Sequence, residues 1–409
     1  MTESRITAYK ILLKCEKSGA YSNIELSNTL AKGGLDHRDK AFVTNLTYGV
    51  LSRLITLDAI IAKLYSKDIT KLDKSVLVIL RMGIYQLKYM DKVPQNAAVY
   101  ESVELCKKFV NRGAAGLVNG ILRSYVRQGA DVGEALEVTY SCDKSICEML
   151  VSQYGQEAAT AALASFFTPR KMYATVNTLI ISVDEFVKKY DAQAVCGSTV
   201  EIKSSFIDKI TDSNEFFIQD ITSAQAVEML SPQNEDIVAD LCAAPGGKSL
   251  KAALMMNNKG SIYSFDLHEN KLSLLEKSAR RLGVDIIETA SADAMVHNVD
   301  LTQKFDKIIC DVPCSGLGVI ARKPEIRYKK TRDFEGLYAV QGKILKNAST
   351  YLKKGGRLLY STCTINKKEN EDCVKAFLEK NDGYRLIEEK LYMPTNNNDG
   401  FYAAIIERI

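Results

Sequence analysis

Apolar residues recur at three- and four-residue spacings through residues 4–128, as in Ile79, Leu80, Gly83, Ile84 and Leu87, or Val99, Val103 and Phe109. That period predicts one amphipathic helix after another. Breaks are expected at Gly33-Gly34, around Pro94, and at Gly113 and Gly116. An all-α domain over residues 1–138 follows. Residues 139–232 mix a helical pattern (143–167) with short β-like runs at 173–176 and 216–218, and are expected to form a small connecting α+β subdomain. From residue 233 the pattern becomes a regular strand–helix alternation. Apolar strands are predicted at 237–241, 261–265, 285–289, 305–310 and 356–361, with helices near 332–352 and 367–380. One further helix carries Leu272, Leu275, Ala279 and Leu282 on a single face and stops at Gly283. Asn366 with Glu369 reads as an N-cap and its box partner for the last helix. Repeated βα units require a parallel sheet covered on both faces. The fold class is therefore α + α/β, with a Rossmann-like domain over 233–409.

At 409 residues the chain exceeds the size of one hydrophobic core, in keeping with this division. No stretch approaches the roughly 20 apolar residues that span a bilayer. The opening MTESRITAYK lacks an apolar export segment, so a cytoplasmic protein away from membranes is expected. Ten cysteines without a CxxC pair and three scattered histidines argue against a metal site and for reduced thiols, most of them small buried hydrophobes. Residues 1–140 carry a net +6 and the remainder −2. The segment 322–332 (RKPEIRYKKTR) is locally +5. Beside a catalytic motif, Arg322, Lys323 and Arg327 become candidates for phosphate contacts, although a solvated loop would look the same.

Small residues crowd the turn after the first Rossmann-like strand: Cys242, Ala243, Ala244, Pro245, Gly246, Gly247 and Lys248. Such a turn lets backbone approach a ligand at a helix N-terminus. Asp266 ends the second strand, where a nucleotide-type fold places the acid that holds ribose hydroxyls, and Asp293 follows the third, placed for an adenine edge. Gly247-Lys248-Ser249 also resembles the end of a P-loop, but Cys242 stands where the first phosphate-cradling glycine belongs.

Two cysteines stand at later strand exits, in Asp311-Val-Pro-Cys314 and Ser361-Thr-Cys363. Strand ends of this kind face the ligand crevice, so both thiols can reach one substrate despite lying far apart in sequence. Methylation at cytosine C5 gives such a thiol a task. C5 is a weak nucleophile, and a thiolate adding at C6 turns the ring into an enamine that attacks the methyl group of S-adenosylmethionine (SAM). Asp311 is a candidate both for the cofactor crevice and for the contact to N3 and the exocyclic amine of the base. Spacing alone does not rank the two thiols.

At these motifs, residues 233–409 resemble the catalytic domain of the Sun/NOL1/NOP2 family of RNA cytosine-C5 methyltransferases. The resemblance rests on FDKIICDVPCSG (305–316), CAAPGGK (242–248), RKPEIR (322–327), Ser361-Thr-Cys363 with Glu369-Asn370, and Asp399-Gly400-Phe401. It implies SAM as cofactor, Cys363 as nucleophile and Cys314 as the residue that assists product release. Residues 1–130 resemble NusB-like helical RNA-binding domains through DHRDKAFVTNLTYGV (36–50), LRMGIYQL (80–87), VPQNAAV (93–99) and VNGILR (118–123). This order of domains implies 16S rRNA as the partner of a monomeric enzyme, with another rRNA or a tRNA as the alternative substrate. A non-catalytic RNA-binding assembly factor would require decayed catalytic motifs, and these motifs are intact.

Overall fold

The computed structural model describes residues 2–18, 22–31, 33–203 and 213–409. Residues 19–21 and 32 of the predicted helical run, and 204–212 of the connecting region, lie outside the described residues. The chain forms two compact units, Met1–Phe167 with Arg322–Lys330, and Thr168–Ala321 with Thr331–Ile409. None of the described helices is long and apolar enough to cross a membrane.

The first unit is helical: α1 (Glu3–Ser18), α2 (Ser22–Ala31), α3 (His37–Leu51), α4 (Leu54–Leu64), α5 (Lys74–Tyr89), α6 (Gln95–Phe109), α7 (Arg112–Gln128), α8 (Leu136–Thr139) and α9 (Lys144–Ser165). Helix α5 is buried along most of its length, as its long apolar stretch Val76–Leu80 and the apolar residues that follow require of a central helix. Asp73 starts it by accepting from the amides of Ser75 and Val76. Its one buried cation, Arg81, is held by Asp58 and Glu16, each at 2.7 Å. Gly113 and Gly116, expected as breaks, lie inside α7. Each glycine costs a helix roughly 1 kcal/mol, but α7 offsets this by burying Ala115, Val118, Ile121 and Leu122.

The basic segment also departs from expectation. Its residues 322–330 pack with the helical unit as a short 3₁₀ turn, Pro324–Tyr328. Arg327 is only 1% exposed, and its Nη1 donates to the carbonyls of Ser52 (2.7 Å) and Tyr140 (3.3 Å). Its guanidinium lies over the Phe167 ring. A cation consumed in this way does not contact phosphate, so Arg327 is a structural residue. Arg322 and Lys323 remain exposed.

The second unit contains two sheets. Strands β1 (Met172–Val176), β2 (Gln193–Cys196), β3 (Thr199–Ile202) and β4 (Phe216–Ile218) form an antiparallel sheet in the order β2-β3-β1-β4, with α10 (Val183–Tyr190) between β1 and β2. Region 139–232, expected as one subdomain, is thus divided: α9 belongs to the helical unit and this sheet to the second. The chain then runs through α11 (Ile221–Leu230), β5 (Ile237–Asp240), α12 (Gly247–Met255), β6 (Ser261–Asp266), α13 (Glu269–Leu282) and β7 (Ile287–Ser291). It finishes with β8 (Phe305–Asp311), α14 (Glu335–Tyr351), β9 (Leu352–Thr362), α15 (Glu371–Leu378), β10 (Tyr384–Tyr392) and β11 (Phe401–Arg408). The seven strands are ordered β10-β11-β9-β8-β5-β6-β7, parallel from β9 to β7, with β11 and β10 added antiparallel. Strand order reverses at β5, and such a switch point opens a crevice at the strand C-termini.

Alternation along the strands fills both faces. Ile309, Leu359 and Ile405 pack on one side with α11, α12 and α13, and Ile308, Leu358 and Ile406 on the other with α14 and α15. Strands β10 and β11 had no counterpart in the sequence reading. β10 is mostly exposed and has little apolar pattern to read.

Arg327→Ala is expected to destabilise the protein by about 3 kcal/mol, because it leaves buried carbonyls unpaired and a cavity. Arg322→Ala should stay within about 0.5 kcal/mol of the parent. Urea denaturation of the two variants checks this.

Candidate active site

The turn after β5 is shaped by its small residues. Gly246 adopts φ +112, and a Cβ there would stand 2.4 Å from the Leu275 side chain. No other residue type fits that position. Asp266, at the end of β6, accepts from the Ala244 amide (3.1 Å) and the His268 amide (3.0 Å), which fixes the turn against the neighbouring strand. Each of its oxygens keeps a second lone pair for a donor such as a ribose hydroxyl. Asp293 caps the turn after β7 by accepting from Met295. The cradle of backbone at Gly246 and the two carboxylates at successive strand ends suit the methionine, ribose and adenine parts of SAM.

Lys248 is mostly buried and does not point toward a phosphate loop. Its Nζ lies 2.7 Å from Asp311 Oδ2 at the end of β8, and 5.2 Å from the centre of the Phe401 ring. Ser249 Oγ donates to buried Asp240 at 2.7 Å, so the hydroxyl that a P-loop would offer to Mg²⁺ is already engaged. The P-loop alternative fails on both residues. Asp311 is held from its other side by Ser361 Oγ at 2.8 Å, its register partner on β9.

The same pairing of β8 with β9 brings the two turns beyond these strands together. Cys314 Sγ and Cys363 Sγ are 3.1 Å apart. The contact with Cys363, together with burial, raises the Cys314 thiol well above the ordinary range. Burial also raises Cys242 and Cys310, helped by neighbouring acids, which keeps both as inert thiols.

Sequence reasoning missed the scaffold beneath the thiols. Glu369 is fully buried and accepts from the Ser315 amide (2.8 Å), Ser315 Oγ (2.5 Å), Gln341 Nε2 (3.0 Å) and Asn366 Nδ2 (3.0 Å). Asn370 accepts from Thr362 Oγ1 and donates to the Thr364 carbonyl, so it grips both neighbours of Cys363. Asn366 caps a 3₁₀ turn (Lys367–Glu369), while α15 starts only at Glu371. The Asn366–Glu369 pair is therefore a clamp between the two thiol turns, a correction to its reading as a helix cap. The signal in the sequence was a carboxylate and an amide next to a cysteine turn, but nothing there names Ser315 or Gln341 as partners.

Asp399-Gly400-Phe401 completes the site. Gly400 N donates to the Gly318 carbonyl (2.9 Å), and Gly318 N donates to the Cys363 carbonyl (3.0 Å). A Cβ on Gly318 would meet the Gly400 oxygen at 1.9 Å, so this crossing requires glycine. Asp399 is paired with Arg170 at 3.2 Å, both buried.

Residues 227–407 match the family described as 16S rRNA methyltransferase RsmB/F, and residues 2–127 match the NusB family. A probable ribosomal RNA small subunit methyltransferase B from Bacillus subtilis (strain 168) is 35% identical over 401 residues, covering 94% of this chain and 90% of its own. The solved structure of PH0851 superposes with a TM-score of 0.82 over 98% of both chains at 22% identity. A methyltransferase homolog from Pyrococcus horikoshii gives 0.60 over 67% of this chain and 98% of its own, at 26% identity. The fold and its strand-end site define a SAM-dependent methyltransferase. The chain belongs to the 16S rRNA methyltransferase RsmB/F family, with a NusB-family domain ahead of the catalytic one.

Two predictions follow from the buried carboxylates. Burial pushes Asp240 up to about 7, only partly offset by the Ser249 hydrogen bond. The unfolded chain loses this proton near pH 4 and the folded chain near pH 7, so stability falls as pH rises between these values and levels off above. Asp240→Asn should remove that decline, on the order of a few kcal/mol, in melting curves recorded from pH 4 to 8 without ligand. Glu369→Gln places an amide donor against the donors of Ser315 and Gln341. It should cost about 2–4 kcal/mol in urea denaturation and slow methyl transfer.

Proposed function

We propose that the enzyme methylates C5 of a cytosine in 16S rRNA, at the position-967 type of site, through a covalent adduct between Cys363 and C6. The observation that carries this reading is the 3.1 Å approach of Cys314 and Cys363 beside the Lys248–Asp311 pair. A methyltransferase acting on an oxygen or an exocyclic nitrogen has no use for two adjoining thiols. C5 methylation uses one sulfur to attack and a second group to help it leave.

Bound SAM, held at the turn 242–248 with Asp266 and Asp293, supplies an electrophilic methyl group to C5. Cys363 gives up its thiol proton to solvent and its sulfur bonds to C6, which moves the C5–C6 electron pair onto C5. Asp311 meets N3 and the exocyclic amine, and Ser361 and Lys248 fix its carboxylate for that contact. After transfer the C5 proton passes to a base, the C5–C6 double bond reforms, and the C6–sulfur bond breaks. Cys314, whose sulfur lies 3.1 Å from that of Cys363, stabilises the departing sulfur by hydrogen bonding. The substrate base must leave its stack to reach these turns, which a loop or single-stranded segment of RNA permits at least cost. The order of the domains supports 16S rRNA, as do relatives named for ribosomal RNA.

Cys363→Ala should lower methylation by at least about 10³-fold while SAM binding survives. Cys314→Ala should accumulate a protein–RNA adduct that withstands denaturing gels. The assignment is falsified if the adduct forms with Cys363→Ala and is absent with Cys314→Ala. Bisulfite sequencing of 16S rRNA from cells lacking the gene names the nucleotide.

A further inference from the structure

Helices α6 and α7 pack side by side and leave a trough of about 930 Å³ on their outer surface. Four cations line it, Lys107 from α6 and Arg112, Arg123 and Arg127 from α7. Its one carboxylate, Glu104, is already paired with Lys107 at 2.7 Å. The α7 residues recur at helical spacing, so their charge runs as a stripe along one face. From Gln95 to Lys107 the α6 wall is about 18 Å long at 1.5 Å per residue.

The apolar groups in the trough are as informative as the charges. Tyr100 is 61% exposed, and Val126 is 42% exposed beside Arg127. An aromatic ring left in water among arginines has no packing role within the helical unit. Gly116 adds a third feature. It lies inside α7, where alanine would serve the helix better, and nothing stands within 4 Å of a Cβ built on it. Internal packing therefore does not call for glycine there, and the bare backbone leaves room for a close approach from outside.

We propose that this trough binds a single-stranded segment of RNA, with phosphates over Arg112, Arg123 and Arg127 and a base stacked on Tyr100. The chemistry fits that occupant better than others. A folded protein partner also favours tyrosine and arginine, but the charge here is one-sided, four cations against one carboxylate, which suits a polyanion. A membrane surface would engage the cations and Tyr100 but leave the bare backbone at Gly116 without a purpose. A strand of RNA uses all three features, as cations meet phosphates, the ring meets a base and the glycine makes room for the sugar. The inference rests on the reading that the substrate is RNA, and assigns the helical unit a grip on a segment away from the methylated base.

The test uses the full chain and a fluorescein-labelled single-stranded RNA of roughly 10 nucleotides, with anisotropy followed over a KCl series. Replacing Arg112, Arg123 and Arg127 together by Gln should reduce the slope of log K against log [KCl] by about 2. Tyr100→Ala should weaken binding about tenfold with the slope unchanged. Gly116→Leu should leave the melting temperature unchanged or raised, since leucine is the better helix former, and yet weaken binding at least about fivefold by filling the trough. This last variant separates loss of the site from loss of the fold. Methylation at saturating RNA should keep its rate in every variant. Loss of turnover would thus point to the strand-end site, and loss of affinity to the trough. An unchanged salt slope in the triple variant, unchanged affinity in Gly116→Leu, or equal competition by polyglutamate would overturn the proposal.

Discussion

The catalytic unit depends on one buried carboxylate. Glu369 lies below the turns that follow β8 and β9 and receives hydrogen bonds from Ser315, Gln341 and Asn366. A buried acceptor of this kind is costly unless it is fully paired. Full pairing is possible only when both turns are in place. The need to satisfy Glu369 thus selects the geometry in which Cys314 and Cys363 meet. Asn370 and the Gly318–Gly400 crossing extend the same constraint to both flanks of Cys363 and to the start of β11.

With the thiols fixed 3.1 Å apart, the contact to Cys363, desolvation and nearby acids together raise the Cys314 thiol. A few residues away, Lys248 and Ser361 hold Asp311 from two sides, so a single strand end presents both a carboxylate and a sulfur. Asp240, under the cofactor turn, pushes up toward neutrality because it is buried.

The helical unit uses positive charge in two ways. Arg81 and Arg327 are consumed inside the helical unit, where each is paired with carboxylates or carbonyls. Arg112, Arg123 and Arg127 stand exposed along α7. Counting charge along the chain does not separate these groups, because a basic segment reads the same whether its arginines end in solvent or under a helix. Arg327 shows the consequence: its place in a +5 segment suggested a phosphate contact, and its burial made it a structural tie.

The sequence alone determined most of the elements, β10 and β11 excepted, and pointed to the candidate chemistry. Apolar runs mark β5, β8 and β9 because strands buried on both faces tolerate little else, and the helical period of residues 4–128 is equally plain. The glycine turn, the acids at strand ends and the two cysteine turns are legible because each needs particular residue types at fixed short spacings. Only the tertiary structure decided which distant groups meet. Strand register placed Ser361 opposite Asp311 and Cys314 beside Cys363, and it assigned Glu369 to Ser315 across 54 residues of chain. Those pairings depend on how strands align and which face a side chain takes. Short-range pattern records neither, since any residue of suitable polarity can stand at such a position until its partner is known.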